Sequence, residues 1–83
     1  MTTIHYQTKG VCSRMIEIEI EGDVIQKVHY HGGCSGNTQG VAALVRGMTV
    51  TEAINRLEGI RCGFKSTSCP DQLAQALKEY LAK

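Results

Sequence analysis

The sequence predicts a small α+β domain in which a three-stranded antiparallel sheet precedes three helices that pack on one of its faces. Two observations indicate this class. Residues 16–21 alternate isoleucine with glutamate, which is the period of a strand with one face in water. From residue 38 onward, apolar residues recur at the spacing typical of helices. Because strands precede helices, the chain of 83 residues is expected to form a single domain over residues 1–83.

The two most regular strands form a predicted hairpin. Residues 16–21 end at Gly22-Asp23, a pair typical of tight turns, and residues 24–31 resume a β-rich pattern that returns antiparallel to the first strand. Residues 4–8 are expected to add a third strand with a short apolar face. The sheet therefore occupies the first part of the chain.

The first helix is expected to run over residues 38–46, after a glycine-rich stretch. Asn37 or Thr38 is available as its N-cap, and Gly47 would end it. Its predicted apolar stripe comprises Val41, Leu44, Val45 and Met48.

The two later helices carry capping patterns at their starts. Thr49 and Glu52 have the spacing of a capping box, which opens a short helix that Gly59 closes. The third helix follows Cys69, with Pro70 at its first position, where a missing N–H costs nothing. The residues expected to face inward are Ala53, Ile54 and Leu57, and then Leu73, Ala76, Leu77, Tyr80 and Leu81. Residues 60–68 form the only long irregular stretch.

The composition and charge of the chain argue against some classes of binding partner. Hydrophobic residues make up 42% of the chain, charged residues make up 20%, and the formal charge is +1. This balance offers no electrostatic basis for binding nucleic acid or an anionic membrane. The N-terminal residues lack the basic start and apolar run of a secretory signal, so we expect a cytoplasmic protein.

Four cysteines carry the main chemical prediction. Cys12, Cys34, Cys62 and Cys69 all fall at predicted ends of strands and helices, where ligands usually come from. In a reducing compartment such cysteines favour metal binding or redox chemistry over structural disulfides. If they converge, four thiolates would hold zinc or an iron–sulfur cluster. One or two of them could instead be small buried core residues.

Three further features have alternative interpretations. Cys34 and Cys69 lie at helix starts, where the helix dipole favours a reactive thiolate, although no Cys-x-x-Cys motif is present. The glycine-rich stretch around Cys34 could bind phosphate, but it matches no phosphate-loop pattern and is better explained as a tight turn with positive φ. His29 and His31 share a strand face near Cys34 and could be ligands, yet they are more typical of half-exposed strand residues, as is His5.

The pentapeptide of residues 67–71, Thr-Ser-Cys-Pro-Asp, resembles the sequence that gives the TSCPD domain family its name. With Cys12, Cys34 and Cys62, the similarity covers nearly the whole chain. Members of that family are small stand-alone bacterial proteins or the C-terminal module of adenosylcobalamin-dependent ribonucleotide reductases. The resemblance implies a metal or redox site at the four cysteines and a partner such as a ribonucleotide reductase. Because 83 residues leave no room for the reductase barrel, we expect an accessory role rather than catalysis by this chain alone.

The order of strands, helices and cysteines is also similar to that of iron–sulfur scaffold proteins of the IscU/NifU type. In that comparison Cys12, Cys34 and Cys69 correspond to the three cluster cysteines. The scaffold's aspartate is replaced by Arg14 here and its histidine by Ser68. The resemblance therefore implies a shared fold and converging cysteines, whereas a fourth thiolate would suit a closed, stably occupied site.

Overall fold

The computed structural model describes residues 1–9, 13–32, 35–61 and 67–82. Its elements in chain order are β1 (Thr2–Gln7), β2 (Ser13–Glu21), β3 (Val24–Gly32), α1 (Ser35–Val45), α2 (Val50–Leu57) and α3 (Cys69–Ala82). The three strands precede the three helices, and both strand pairs are antiparallel. The predicted α+β class is confirmed.

The sheet has the order β1-β2-β3, with the isoleucine-rich strand in the middle. Ile16, Ile18 and Ile20 are all buried, as the alternating pattern predicts. The hairpin between β2 and β3 turns at Gly22, whose φ of +64° is a conformation that glycine adopts without a side-chain clash. The glutamates between the isoleucines fall on the opposite face of the sheet.

β1 is longer than predicted, since it begins at Thr2 rather than Ile4. Its added residues pair with β2, where Thr2 lies opposite Ile20. Ladder hydrogen bonds to a neighbouring strand support residues that have no apolar face of their own. The short apolar pattern therefore placed the start of β1 two residues too late.

The predicted start of α1 is wrong. The helix begins at Ser35, so Asn37 and Thr38 lie inside it and neither is its N-cap. Leu44, predicted to face inward, is 73% exposed, while Thr38 and Val45 are buried. Glycines in a helix disfavour it by only about 1 kcal/mol each, which packing against the sheet can offset. Tertiary contacts therefore decided both the start and the rotation of α1.

α2 forms as the capping pattern predicts. Thr49 is the N-cap, and its hydroxyl accepts the Glu52 N–H at 3.2 Å. Ala53 and Ile54 are buried, and the chain leaves the helix before Gly59, whose φ is +84°. Local side-chain chemistry was enough to define this helix.

α3 begins at Cys69, so Pro70 is its second residue and not its first. The correction is small, because the N–H groups of a helix's first turn have no intrahelical acceptor and proline lacks one of them. Leu73, Ala76 and Leu77 are buried as predicted, but Leu81 is 53% exposed near the end of the helix.

A single core cluster joins the buried face of the sheet to the helices. It contains the three isoleucines of β2, Val45 of α1, residues of α2 and Leu73 and Leu77 of α3. The helices thus cover one face of the sheet. No helix within the described ranges is both long enough and apolar enough to cross a lipid bilayer.

Candidate functional site

Of the four cysteines predicted to form a site, the structure describes Cys69. It is half-buried and is the first residue of α3, so its predicted position at a helix start is confirmed. The predictions for Cys12, Cys34 and Cys62 lie outside the described residues. Within the four described ranges, no group of three or more His, Cys, Asp and Glu side chains is placed to hold a metal ion. The four-cysteine site stays a prediction.

Tyr30 connects β3 to the start of α3. Its hydroxyl donates a 2.9 Å hydrogen bond to the Cys69 carbonyl, and its side chain is 8% exposed. Burial, and secondarily the negative charge of a Cys69 thiolate, raise the pKa of the Tyr30 phenol well above its ordinary range. The phenol therefore remains protonated and continues to donate this bond.

Ser68 is the N-cap of α3. Its hydroxyl oxygen accepts the Asp71 N–H at 3.1 Å and donates to the Ile60 carbonyl at 2.6 Å. The first bond satisfies a helix N–H that has no intrahelical acceptor. The second holds the chain that leaves α2 against the beginning of α3.

Asp71 adds a second attachment at the same place. Its buried carboxylate accepts the Gly59 N–H at 2.7 Å and the Thr67 hydroxyl. Burial alone would raise the pKa of the Asp71 carboxyl. Hydrogen bonds from Thr67, Gly59 and Gln75, with the charge of Lys78, instead hold that pKa below its ordinary value. The carboxylate is thus ionised at neutral pH.

Gln72 ties the end of β1 to the same region. Its side-chain oxygen accepts the Lys9 N–H at 3.1 Å, and its side-chain nitrogen donates to the Thr67 hydroxyl at 3.0 Å. Because Gln72 is buried, these bonds satisfy both ends of an amide that water cannot reach freely. The start of α3 is therefore hydrogen-bonded to β3 and to the segments that follow β1 and α2.

The histidines lie on the other face of the sheet. His31 Nε2 is 3.5 Å and His5 Nε2 is 3.8 Å from the same oxygen of Glu17, and the rings of His29 and His31 meet edge to face at 4.6 Å. These are the partly exposed strand positions expected from the sequence. Their contacts are with Glu17 and one another.

Sequence reasoning missed four residues of this region. Ser68 and Asp71 have the spacing of a capping box with aspartate in place of glutamate, so the helix-start pattern could have identified them. Tyr30 and Gln72 offered no such signal. Each bonds to a residue far along the chain, and no local pattern encodes that contact.

Comparisons with known proteins give one result. No curated protein and no solved structure matches this chain. The model of the TSCPD domain matches residues 1–81. The match begins at the first residue of the chain and includes all three strands and nearly all of α3, and the chain belongs to the TSCPD domain family.

Proposed function

We propose that this protein is a small accessory or interaction domain that binds zinc or an iron–sulfur cluster through Cys12, Cys34, Cys62 and Cys69. The observation that supports the proposal is a chain of contacts that joins described residues within two positions of these cysteines. Ser13 pairs with Gly32, Tyr30 of the same strand bonds the Cys69 carbonyl, and Ser68 bonds the Ile60 carbonyl.

The first two cysteines are covalently close to one end of the sheet. Cys12 directly precedes Ser13, and Ser13 pairs with Gly32 across β2 and β3. Cys34 follows Gly32 by two residues. Since a chain advances at most about 3.6 Å per residue, both cysteines are within roughly 7 Å of this paired end along the backbone.

The other two cysteines are covalently close to the start of α3. Cys62 follows Ile60 by two residues, and the Ile60 carbonyl bonds the Ser68 hydroxyl at 2.6 Å. Cys69 comes directly after Ser68. The 2.9 Å bond from Tyr30 to the Cys69 carbonyl then links this group to the end of β3. The short backbone distances therefore allow all four thiols to bind the same metal ion or cluster.

The chemistry of the donors favours a soft metal. Four thiolates suit tetrahedral zinc or the iron of a cluster. Cys69 would supply one of these donors from the first residue of α3. A bound metal would hold β2, β3 and the segment before α3 together, adding the stability that a small core supplies poorly.

Metal analysis of anaerobically purified protein, with its ultraviolet–visible spectrum and a thiol count, tests the proposal. We expect one equivalent of zinc, or iron with sulfide absorbance, together with thiols protected from alkylation. Each Cys→Ser variant should lower metal retention. Ser68→Ala is the matched control, since it removes the helix cap and the bond to the Ile60 carbonyl but no thiol, and it should still bind a full equivalent at saturating zinc.

Metal-free protein whose four thiols react independently would overturn the proposal. A role in thiol redox or partner binding during ribonucleotide reduction would then be tested with Cys62→Ser and Cys69→Ser. Loss of stimulation of a partner reductase by folded variants would support that role. Unchanged stimulation would leave a metal-free interaction domain.

A further inference from the structure

The outer edge of β3 is only partly covered. Since the sheet order is β1-β2-β3, one edge of β3 has no neighbouring strand. Near its start the Ile25 N–H donates to the Met48 carbonyl, and the Gly47 N–H donates to the Ile25 carbonyl, both at 2.9 Å. Beyond Ile25, no backbone hydrogen bond between described residues reaches this edge. Within the part of the chain that the structure describes, the remainder of β3 is an open edge strand.

A bulge determines which backbone groups face outward along this open edge. The partners of Ile25 and Lys27 on β2 are adjacent residues, so Gln26 is the extra residue. Hydrogen-bonded and non-hydrogen-bonded pairs alternate in an antiparallel ladder. The N–H and C=O groups of Ile25 point away from β2. Because the two kinds of pair alternate, Lys27 is hydrogen-bonded to its partner on β2, whereas Val28 and Tyr30 are not hydrogen-bonded to theirs. The N–H and C=O groups of Val28 and Tyr30 therefore point away from β2.

A groove follows this edge. It has a volume of about 550 Å³ and lies between β3 and α1. Four consecutive residues of β3, 27–30, line it, so the strand presents its edge to the groove as well as alternate side chains. On the helix side, the polar residues Thr38 and Gln39 line one part of the groove, and Ala42 and Ala43 present methyl groups along another. The space is open for an extended chain.

The groove carries positive charge. Lys27 and Arg46 line it, and no acidic residue does so. Glu19 is the cross-strand partner of Lys27, but none of the ion pairs between described residues includes Lys27 or Arg46. The exposed imidazole of His29 would add charge when protonated. An occupant with carboxylates would complement this surface.

We propose that the open edge of β3 binds an extended acidic segment of a partner protein as a fourth strand. The backbone groups of Val28 and Tyr30 supply ladder hydrogen bonds, and Lys27 and Arg46 pair with carboxylates on the bound segment. A second copy of this chain fits less well. Two β3 edges would place two basic grooves side by side, and β1, the other edge strand of the described sheet, contains no acidic residue.

The probe is a fluorescent, end-blocked eight-residue peptide in which pairs of valines alternate with pairs of glutamates, so that carboxylates lie on both faces of the extended chain. One control peptide has lysine in place of glutamate, and a second has N-methyl groups that remove alternate backbone donors. Of the three peptides, we expect only the glutamate peptide to bind. Its binding should slow hydrogen exchange of the Val28 and Tyr30 amides. Lys27→Glu with Arg46→Glu should weaken binding about tenfold. Lys9→Glu, a single charge reversal in the segment after β1, should leave binding unchanged, and Lys27→Glu alone is the variant of equal charge with which it is compared.

Several outcomes would overturn the proposal. These are absence of binding up to about 1 mM peptide, equal binding of the lysine peptide, or equal binding of the N-methylated peptide. If the glutamate peptide binds without slowing hydrogen exchange of the Val28 and Tyr30 amides, the groove binds anionic groups through its side chains and does not accept a fourth strand. A dimer in sedimentation analysis that excludes the peptide would assign the edge to self-association.

Discussion

Asp71→Asn tests whether the carboxylate at the start of α3 stabilises the fold as its contacts imply. The side chain is 7% exposed and accepts bonds from the Gly59 N–H and the Thr67 hydroxyl. Asparagine keeps the shape and one acceptor oxygen but removes the charge. A hydrogen bond to a charged group contributes about 1.5–3 kcal/mol, so we expect a loss of about 2 kcal/mol in the free energy of unfolding.

A loss of that size corresponds to a fall in Tm of about 8–16 °C for a domain of this length. Asp71→Ala should cost more, about 3–4 kcal/mol, because it also leaves the buried Gly59 N–H without an acceptor. The pH dependence has a definite sign. Because the folded pKa lies below the ordinary value, the carboxylate stabilises fully above about pH 4 and loses this effect as the pH falls through the folded pKa.

Urea and thermal unfolding of the wild type and variants, at constant metal content and between neutral and acid pH, measure these effects. Asp71→Asn should flatten the acid side of the stability curve. Asp23→Asn is the matched control, since Asp23 is exposed in the hairpin turn, and it should change stability by no more than about 0.5 kcal/mol. An Asp71→Asn variant as stable as the control, with an unchanged acid limb, would refute the reasoning.

Three other predictions follow from the same structure. Tyr30→Phe should lower stability by about 1–2 kcal/mol, because the Cys69 carbonyl loses its donor. As the folded pKa of Tyr30 is raised, its stabilising effect is complete below about pH 10 and is lost as the pH rises. In an absorbance titration, Tyr30→Phe should lose a phenol that ionises well above the ordinary range, and loss of one that ionises within that range would contradict the assignment. Gly32→Ala, at φ +82°, should lower the free energy of unfolding by about 1–2 kcal/mol. Gly40→Ala, inside α1, should raise it by about 0.5–1 kcal/mol. Denaturant midpoints that move in the same direction for both variants would contradict this prediction. Ile18→Ala, at a fully buried position of the central strand, should cost about 4 kcal/mol, and Glu19→Ala on the opposite face about 0.5 kcal/mol at most. Similar losses from both would argue against the assigned register.

Local pattern determined most of the architecture. The alternation of isoleucine and glutamate identified β2 and its buried face, because side chains on a strand alternate between faces. Thr49 and Glu52 identified the start of α2, because a cap requires only residues three apart. The same reasoning placed Cys69 at the start of α3. These features depend on neighbours in sequence, so the sequence by itself determined them.

Tertiary packing decided the rest. Leu44 fits the apolar spacing of α1, yet it is exposed, since α1 begins earlier than its glycine-rich sequence implies and turns Thr38 and Val45 inward. The Tyr30–Cys69 bond joins residues 39 positions apart, and the bond from Lys9 to Gln72 joins residues 63 positions apart. Contacts of this range leave no period in the sequence. The sequence alone therefore placed Cys69 at the start of a helix, whereas only the folded chain decided that Tyr30 bonds the Cys69 carbonyl and that, among the described residues, no backbone hydrogen bond covers the edge of β3 beyond Ile25.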